Sequence, residues 1–175
     1  MDFSIFASFF VLMAPQLTTA SPAEAVRAFP GLTVGAFVPF TDSRIRRLPR
    51  CVEAAPDRER SKTCFQFDGI NYAYRLDDRT ISEKWIVAGR GALPYGLRAP
   101  IHRTQIDAAL SRRFNLRLDN RQVYRKDGST QVERYIDRSQ NISQGCVEDC
   151  NLLAVYDPQG RLIEISVLEF DGEAD

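Results

Sequence analysis

The chain predicts an α+β fold of two similar halves, each a short helix packed on an antiparallel β-meander, in a secreted and disulfide-bonded protein. Three observations carry that expectation. Leu93–Leu110, LPYGLRAPIHRTQIDAAL, repeats the pattern of Leu32–Pro49, LTVGAFVPFTDSRIRRLP. At one constant offset Leu32 faces Leu93, Gly35 faces Gly96, Pro39 faces Pro100 and Ile45 faces Ile106. These are turn-forming and apolar anchor positions, which a repeated backbone has to keep. In both halves helical spacing then gives way to period-two alternation broken by Asp-Gly dipeptides, the pattern of strands joined by tight turns. Finally, four cysteines all lie downstream of an N-terminal apolar run. The organisation expected is a signal peptide over 1–20, a first half over 21–88 and a second over 89–175, packed as one unit.

Composition supports a packed protein: 44% of the 175 residues are hydrophobic and 26% charged, which is ordinary for a globular core and too apolar for a disordered chain. The formal charge of +0 gives no reason to expect nucleic acid as a partner. Arginine outnumbers lysine, as GC-rich coding produces, and this points to a bacterial source.

Phe3–Ala14 is apolar and too short to span a bilayer comfortably, and it leads through Pro15 to the small residues Thr18, Thr19 and Ala20. That is the shape of a secretory signal, although Asp2 stands where a basic residue is usual. Export to the periplasm or beyond follows, with no stable membrane insertion after cleavage. Ser21, Pro22 and Glu24 then form a capping pattern for a short helix to Ala28, which Pro30 and Gly31 end.

In an exported chain, Cys51, Cys64, Cys146 and Cys150 predict two disulfides. Three pairings are open. Proximity along the chain favours Cys51 with Cys64 and Cys146 with Cys150. Zinc is the competing use, but the cysteine spacings are wrong for it and His102 is the sole histidine. No metal and no cofactor are therefore expected.

Thr41–Leu48 predicts two helical turns with Ile45 and Leu48 inward, stopped by Pro49. Arg44–Lys62 is rich in basic side chains, a solvated loop by the simpler reading and an anionic-partner surface by the other. Phe65 and Phe67 begin the meander, and Asp68-Gly69 turns it. Tyr72, Tyr74 and Leu76 line one face of the return strand, while Ile81, Trp85 and Val87 share a side of the third. Ala88–Gly91 is the seam. Beyond it Ile106, Ala109, Leu110 and Phe114 recur at helical spacing. Strands follow over Leu116–Arg125 and Thr130–Ile136, joined by Asp127-Gly128. After the Cys146–Cys150 loop come Asn151–Tyr156, the turn Asp157–Gly160, and Arg161–Phe170 with Ile163, Ile165 and Val167 inward. An acidic tail, Asp171–Asp175, closes the chain.

Gly35 with Thr41 and Ile45, and Gly96 with Arg103–Ile106, form a glycine, a polar helix start and an aliphatic anchor. In this the chain resembles the β-lactamase inhibitory protein fold, a tandem repeat of small helices against antiparallel strands with one disulfide per half. That fold is related in shape to the small lipoprotein of the outer-membrane barrel-assembly machinery. His102 departs from the small polar cap of that pattern, and no cysteine follows the signal directly to take a lipid anchor. The resemblance implies protein binding through an aromatic-rich sheet face.

The common hydrolase, metalloprotease and nucleotide-binding motifs GxSxG, HExxH, the P-loop and GxGxxG are absent from the sequence. Asp77 with Asp78, and Glu148 with Asp149, are adjacent carboxylates in turn-like loops, and Asn141-Ile142-Ser143 is a sequon. The leading expectation is a non-enzymatic protein-binding protein, of inhibitor or immunity type, with Tyr72, Tyr74 and Trp85 as contact residues. Core packing is the alternative for each of the three. An envelope-assembly module and a small secreted hydrolase using carboxylates are the alternative functions.

Overall fold

The computed structural model describes residues 29–52, 63–113, 116–126, 130–137, 146–147 and 150–169. The predicted signal peptide, the helix after it, the turn at Asp127-Gly128, the Asn141–Ser143 sequon, the Glu148–Asp149 pair and the acidic tail lie outside them.

Seven antiparallel strands form one sheet, in the order β1-β2-β3-β7-β6-β5-β4. They are β1 (Cys64–Phe67), β2 (Ile70–Tyr74), β3 (Ile81–Val87), β4 (Leu116–Lys126), β5 (Thr130–Asp137), β6 (Cys150–Tyr156) and β7 (Leu162–Glu169). The order is that of two meanders, β1–β3 and β4–β7, whose last strands pair with each other. Lys84 lies opposite Val167 and Ile86 opposite Ile165. The hairpin turn read from Asp68-Gly69 is present with φ of 51° and 76°, the left-handed pair a two-residue turn requires. In the second meander, Asp157 closes the turn by accepting N–H bonds from Gln159 and Arg161.

Among the described residues, one α-helix precedes each meander. The first, α1, is a single turn, Asp42–Ile45, rather than the two turns expected. Past Ile45 the backbone tightens into i to i+3 bonds, Arg47 N–H to Arg44 and Leu48 N–H to Ile45, which bring Leu48 round to the core before Pro49. The second, α2 (Arg103–Arg113), buries Ile106 and Leu110 as the spacing predicts.

The core lies on one face of the sheet, where Phe65, Ile70, Tyr72, Ile86, Ile165, Val167, Leu152 and Tyr135 meet Phe29, Val34, Val38 and Phe40 from the segment before α1, and Ile106 and Leu110 from α2. The alternation expected for β3 fails here for a local reason. A register shift between Ala73 and Tyr74 puts Tyr74 opposite Ile81, so Ile81 and Ile86 enter the core. Asn71 is opposite Trp85 and Tyr72 opposite Lys84, so Trp85 and Tyr72 lie on opposite faces.

A strap, residues 34–38, crosses the end of β3. Gly35 N–H donates to Ile81, Ile81 N–H to Ala36, and Val38 N–H to Arg79. At its other side Val147 N–H donates to the Val34 carbonyl. The segment before α2 treats β7 alike: Leu162 N–H donates to Ile101 and Arg103 N–H to Gly160.

Candidate functional site

The structure places all three expected contact aromatics in the interior, with Tyr72 and Trp85 at 0% exposure and Tyr74 buried. Each is occupied there. The Tyr72 hydroxyl accepts Leu32 N–H at 3.1 Å. It sits so close to Gly31 that a Cβ there would be 2.1 Å from the oxygen, and at φ 101° Gly31 is the residue that permits this approach. Burial pushes the Tyr72 hydroxyl above its ordinary pKa. Tyr72 also stacks on Phe65 at 5.3 Å. Trp85 Nε1–H donates to the Val52 carbonyl at 2.8 Å, and Asn71 Oδ1 accepts Val52 N–H at 2.8 Å. Together with the Cys51–Cys64 disulfide, these two bonds dock the chain after α1 against the sheet. Tyr72 and Tyr74 are buried in the core and Trp85 on the other face of the sheet.

The large apolar side chains that do face solvent are others. Phe37 is 64%, Leu76 71% and Val147 64% exposed. They are connected through the strap. Val147 hangs from Val34 and packs against Gly35, Phe37 pairs with Thr80, and Arg75, adjacent to Leu76, donates its N–H to the Thr80 carbonyl. Leu76 was expected to line the face shared by Tyr72 and Tyr74. It lies beyond β2, which ends at Tyr74, and so turns outward with the Asp77–Thr80 turn. The Cys146–Cys150 disulfide anchors Val147 at the far side.

Arginines frame this apolar rim. Arg79 lies over the Phe37 ring at 5.4 Å, donates to the Phe40 carbonyl at 2.9 Å and pairs with Asp42 at 3.0 Å. Arg44 lies over the Phe40 ring at 4.4 Å. Arg46, Arg47 and Arg50 follow, all exposed. The basic run was legible in the sequence, as was the apolar AFVPF around Phe37. That Phe37 points outward depends on the strap crossing β3, and no local pattern encodes that.

Carboxylates are arranged for structure. Asp78 accepts the Thr80 hydroxyl at 2.7 Å and Thr80 N–H at 2.9 Å and pairs with Arg75 at 3.1 Å, and the Thr80 bonds lead in holding its carboxyl below the usual range. Under α2 a buried polar knot joins Glu133, 1% exposed, to Arg103 and to the Tyr135 hydroxyl, which donates at 3.2 Å. Burial, first of all, raises the pKa of Tyr135 and of neighbouring Tyr156, so both stay protonated phenols. Lys84 is buried on the core face, where its Nζ donates to the Phe29 carbonyl at 3.0 Å, and burial pushes its pKa down to about 8. His102, at the α2 start, bonds the Gln159 carbonyl through Nε2 at 2.9 Å. Among the described residues no three His, Cys, Asp or Glu side chains converge to hold a metal ion. No helix among them is long and apolar enough to cross a membrane.

Fold and rim together define an antiparallel α+β sheet protein, stapled by two disulfides, that exposes an apolar and arginine-rich edge. Compared with protein-family models, with curated proteins and with solved structures, the chain matches none.

Proposed function

We propose that this chain is a non-enzymatic protein-binding protein of the periplasm or the extracellular space, of inhibitor or immunity type, and that it binds through the Phe37, Leu76 and Val147 rim. One observation carries the reading: among the described residues, the three exposed large apolar side chains share one strap and its neighbours instead of being scattered. Single exposed apolar residues are ordinary, whereas a connected group with a polar frame is the form of an interaction surface. Aromatic and arginine side chains are the types enriched at such surfaces. The two disulfides accord with an oxidising compartment. The finer architectural reading, two similar halves, belongs to the same proposal. Its support is the like bonding of residues 36–38 to the start of β3 and of 101–103 to the start of β7.

The test is site-specific photocrosslinking in the producing cell, with a photoreactive phenylalanine analogue at Phe37 and, as a control, at Arg98, which is exposed elsewhere. A discrete protein adduct at Phe37 alone, lost when Leu76→Asp is added, is the expected result. The same adducts at both positions, or none, would remove the reading. N-terminal sequencing of the native protein tests export, with Ser21 expected first and Met1 or Asp2 contradicting it.

A further inference from the structure

Resting on the protein-binding reading above, we propose that the partner offers an acidic segment, its carboxylates meeting Arg44, Arg46, Arg47 and Arg50 while its apolar side chains cover Phe37 and Leu76. The argument is one of charge. The chain as a whole has a formal charge of +0, yet the described stretch from α1 to Arg50 carries four arginines and a single acid, Asp42, which Arg79 already engages. Among the described residues no ion pair is formed by Arg44, Arg46, Arg47 or Arg50. The sequence that follows does not offset them, since Glu53, Asp57 and Glu59 are balanced by Arg58, Arg60 and Lys62. A protein that is neutral overall and locally cationic, with four arginines that form no ion pair among the described residues, is complementary to an anion.

Three anionic partners compete, and the rim favours protein. A membrane would have to take Phe37 into its apolar layer. Arg79 lies over that ring and is held by Asp42 and the Phe40 carbonyl, so Phe37 cannot enter hydrocarbon without dragging in a charged pair. Nucleic acid would offer phosphates to the arginines but no aliphatic side chains to cover Phe37 and Leu76, which are 64% and 71% exposed. An acidic protein segment suits both parts: guanidinium forks match carboxylates bidentately, and the exposed Phe37 and Leu76 accept aliphatic side chains. The basic surface also raises the encounter rate with such a partner, an effect that weakens with salt.

The experiment uses the purified full mature chain and fluorescence anisotropy with labelled peptides in which Glu alternates with Leu, or Gln with Leu. Anionic phosphatidylglycerol vesicles and a duplex oligonucleotide serve as competitors. The Glu peptide is expected to bind at least about tenfold more tightly than the Gln peptide. Arg46→Ser/Arg47→Ser/Arg50→Ser is expected to lose that preference with an unchanged melting temperature, and Arg90→Ser/Arg98→Ser to keep it. A smaller Glu preference, its persistence in the triple variant, or stronger binding to vesicles or duplex overturns the proposal. The two readings separate cleanly. A Phe37 adduct that survives the triple arginine change leaves protein binding in place and removes the acidic partner, whereas no adduct in the parent removes protein binding itself.

Discussion

The two approaches to the helices use the same backbone bonds and present opposite surfaces. Before α1, residues 35–38 bond to the start of β3, and before α2, Ile101 to Arg103 bond to the start of β7. At the first, the residue bridged to the strand is Phe37, 64% exposed, with Arg79 lying over its ring. At the second it is His102, turned onto Gly160 and bonded to the Gln159 carbonyl. The first approach leads into a single turn, the second into a three-turn helix that closes the core with Ile106 and Leu110. The difference teaches that the backbone framework and the recognition surface are separable: the pairings hold each segment in place, and the side chain decides whether that place presents a bare apolar ring or an exposed imidazole tied to a carbonyl.

That comparison breaks if the two meanders are energetically independent. Trp85→Ala is expected to cost about 3–5 kcal/mol and Ile106→Ala about 2–4 kcal/mol, each in one cooperative transition followed by urea denaturation. Two separate transitions would show that the β3–β7 seam does not couple the meanders. The disulfides sharpen the contrast next. The Cys51–Cys64 link closes a separation of 13 residues and Cys146–Cys150 one of 4. By loop entropy, removing the first with paired serines should cost roughly 3 kcal/mol and removing the second roughly 2.

Lys84 gives a pH signature specific to the first meander. Its folded pKa, pushed down to about 8, lies below the ordinary lysine value of 10.5, so between these the unfolded chain holds the extra proton. Stability should therefore rise with pH from about 8 toward 10, by on the order of 2 kcal/mol, and this contribution should be lost as pH falls through about 8. Urea midpoints across that range should rise in the parent and stay flat in Lys84→Met. The smallest expected effect belongs to Phe37→Ala, within about 0.5 kcal/mol of the parent because the ring is largely exposed, while the crosslinked partner is lost.

Local chemistry made much of the fold legible. Asp68-Gly69 encodes its turn because both residues tolerate positive φ, Asp157–Gly160 because Asp157 caps its own turn, and α2 because Ile106 and Leu110 recur at helical spacing. The two cysteine pairings followed from nearness in the chain and are those formed. What could not be read depended on partners distant in sequence. The register shift after Ala73 brings Ile81 round to the Tyr72 face while Trp85, opposite Asn71, stays on the other, and Tyr72 is buried because Leu32 and Gly31, just before the strap, settle on its hydroxyl. A period-two pattern reports that a strand has faces without saying what covers them. The constant offset that pairs Gly35 with Gly96 also does not carry into the backbone bonding, where Phe37 and His102 hold the corresponding bridges.

The junction of β3 with β7 has a consequence for biosynthesis. A chain made from its N-terminus completes the first meander long before Leu162–Glu169 is synthesised, so Lys84 must wait for Val167. During that interval β3 offers an open row of peptide groups beside apolar Ile81 and Ile86, the kind of edge to which other extended chains add. A holding chaperone would find its task there, and a message truncated anywhere before Leu162 would yield a product prone to aggregate rather than a smaller working protein.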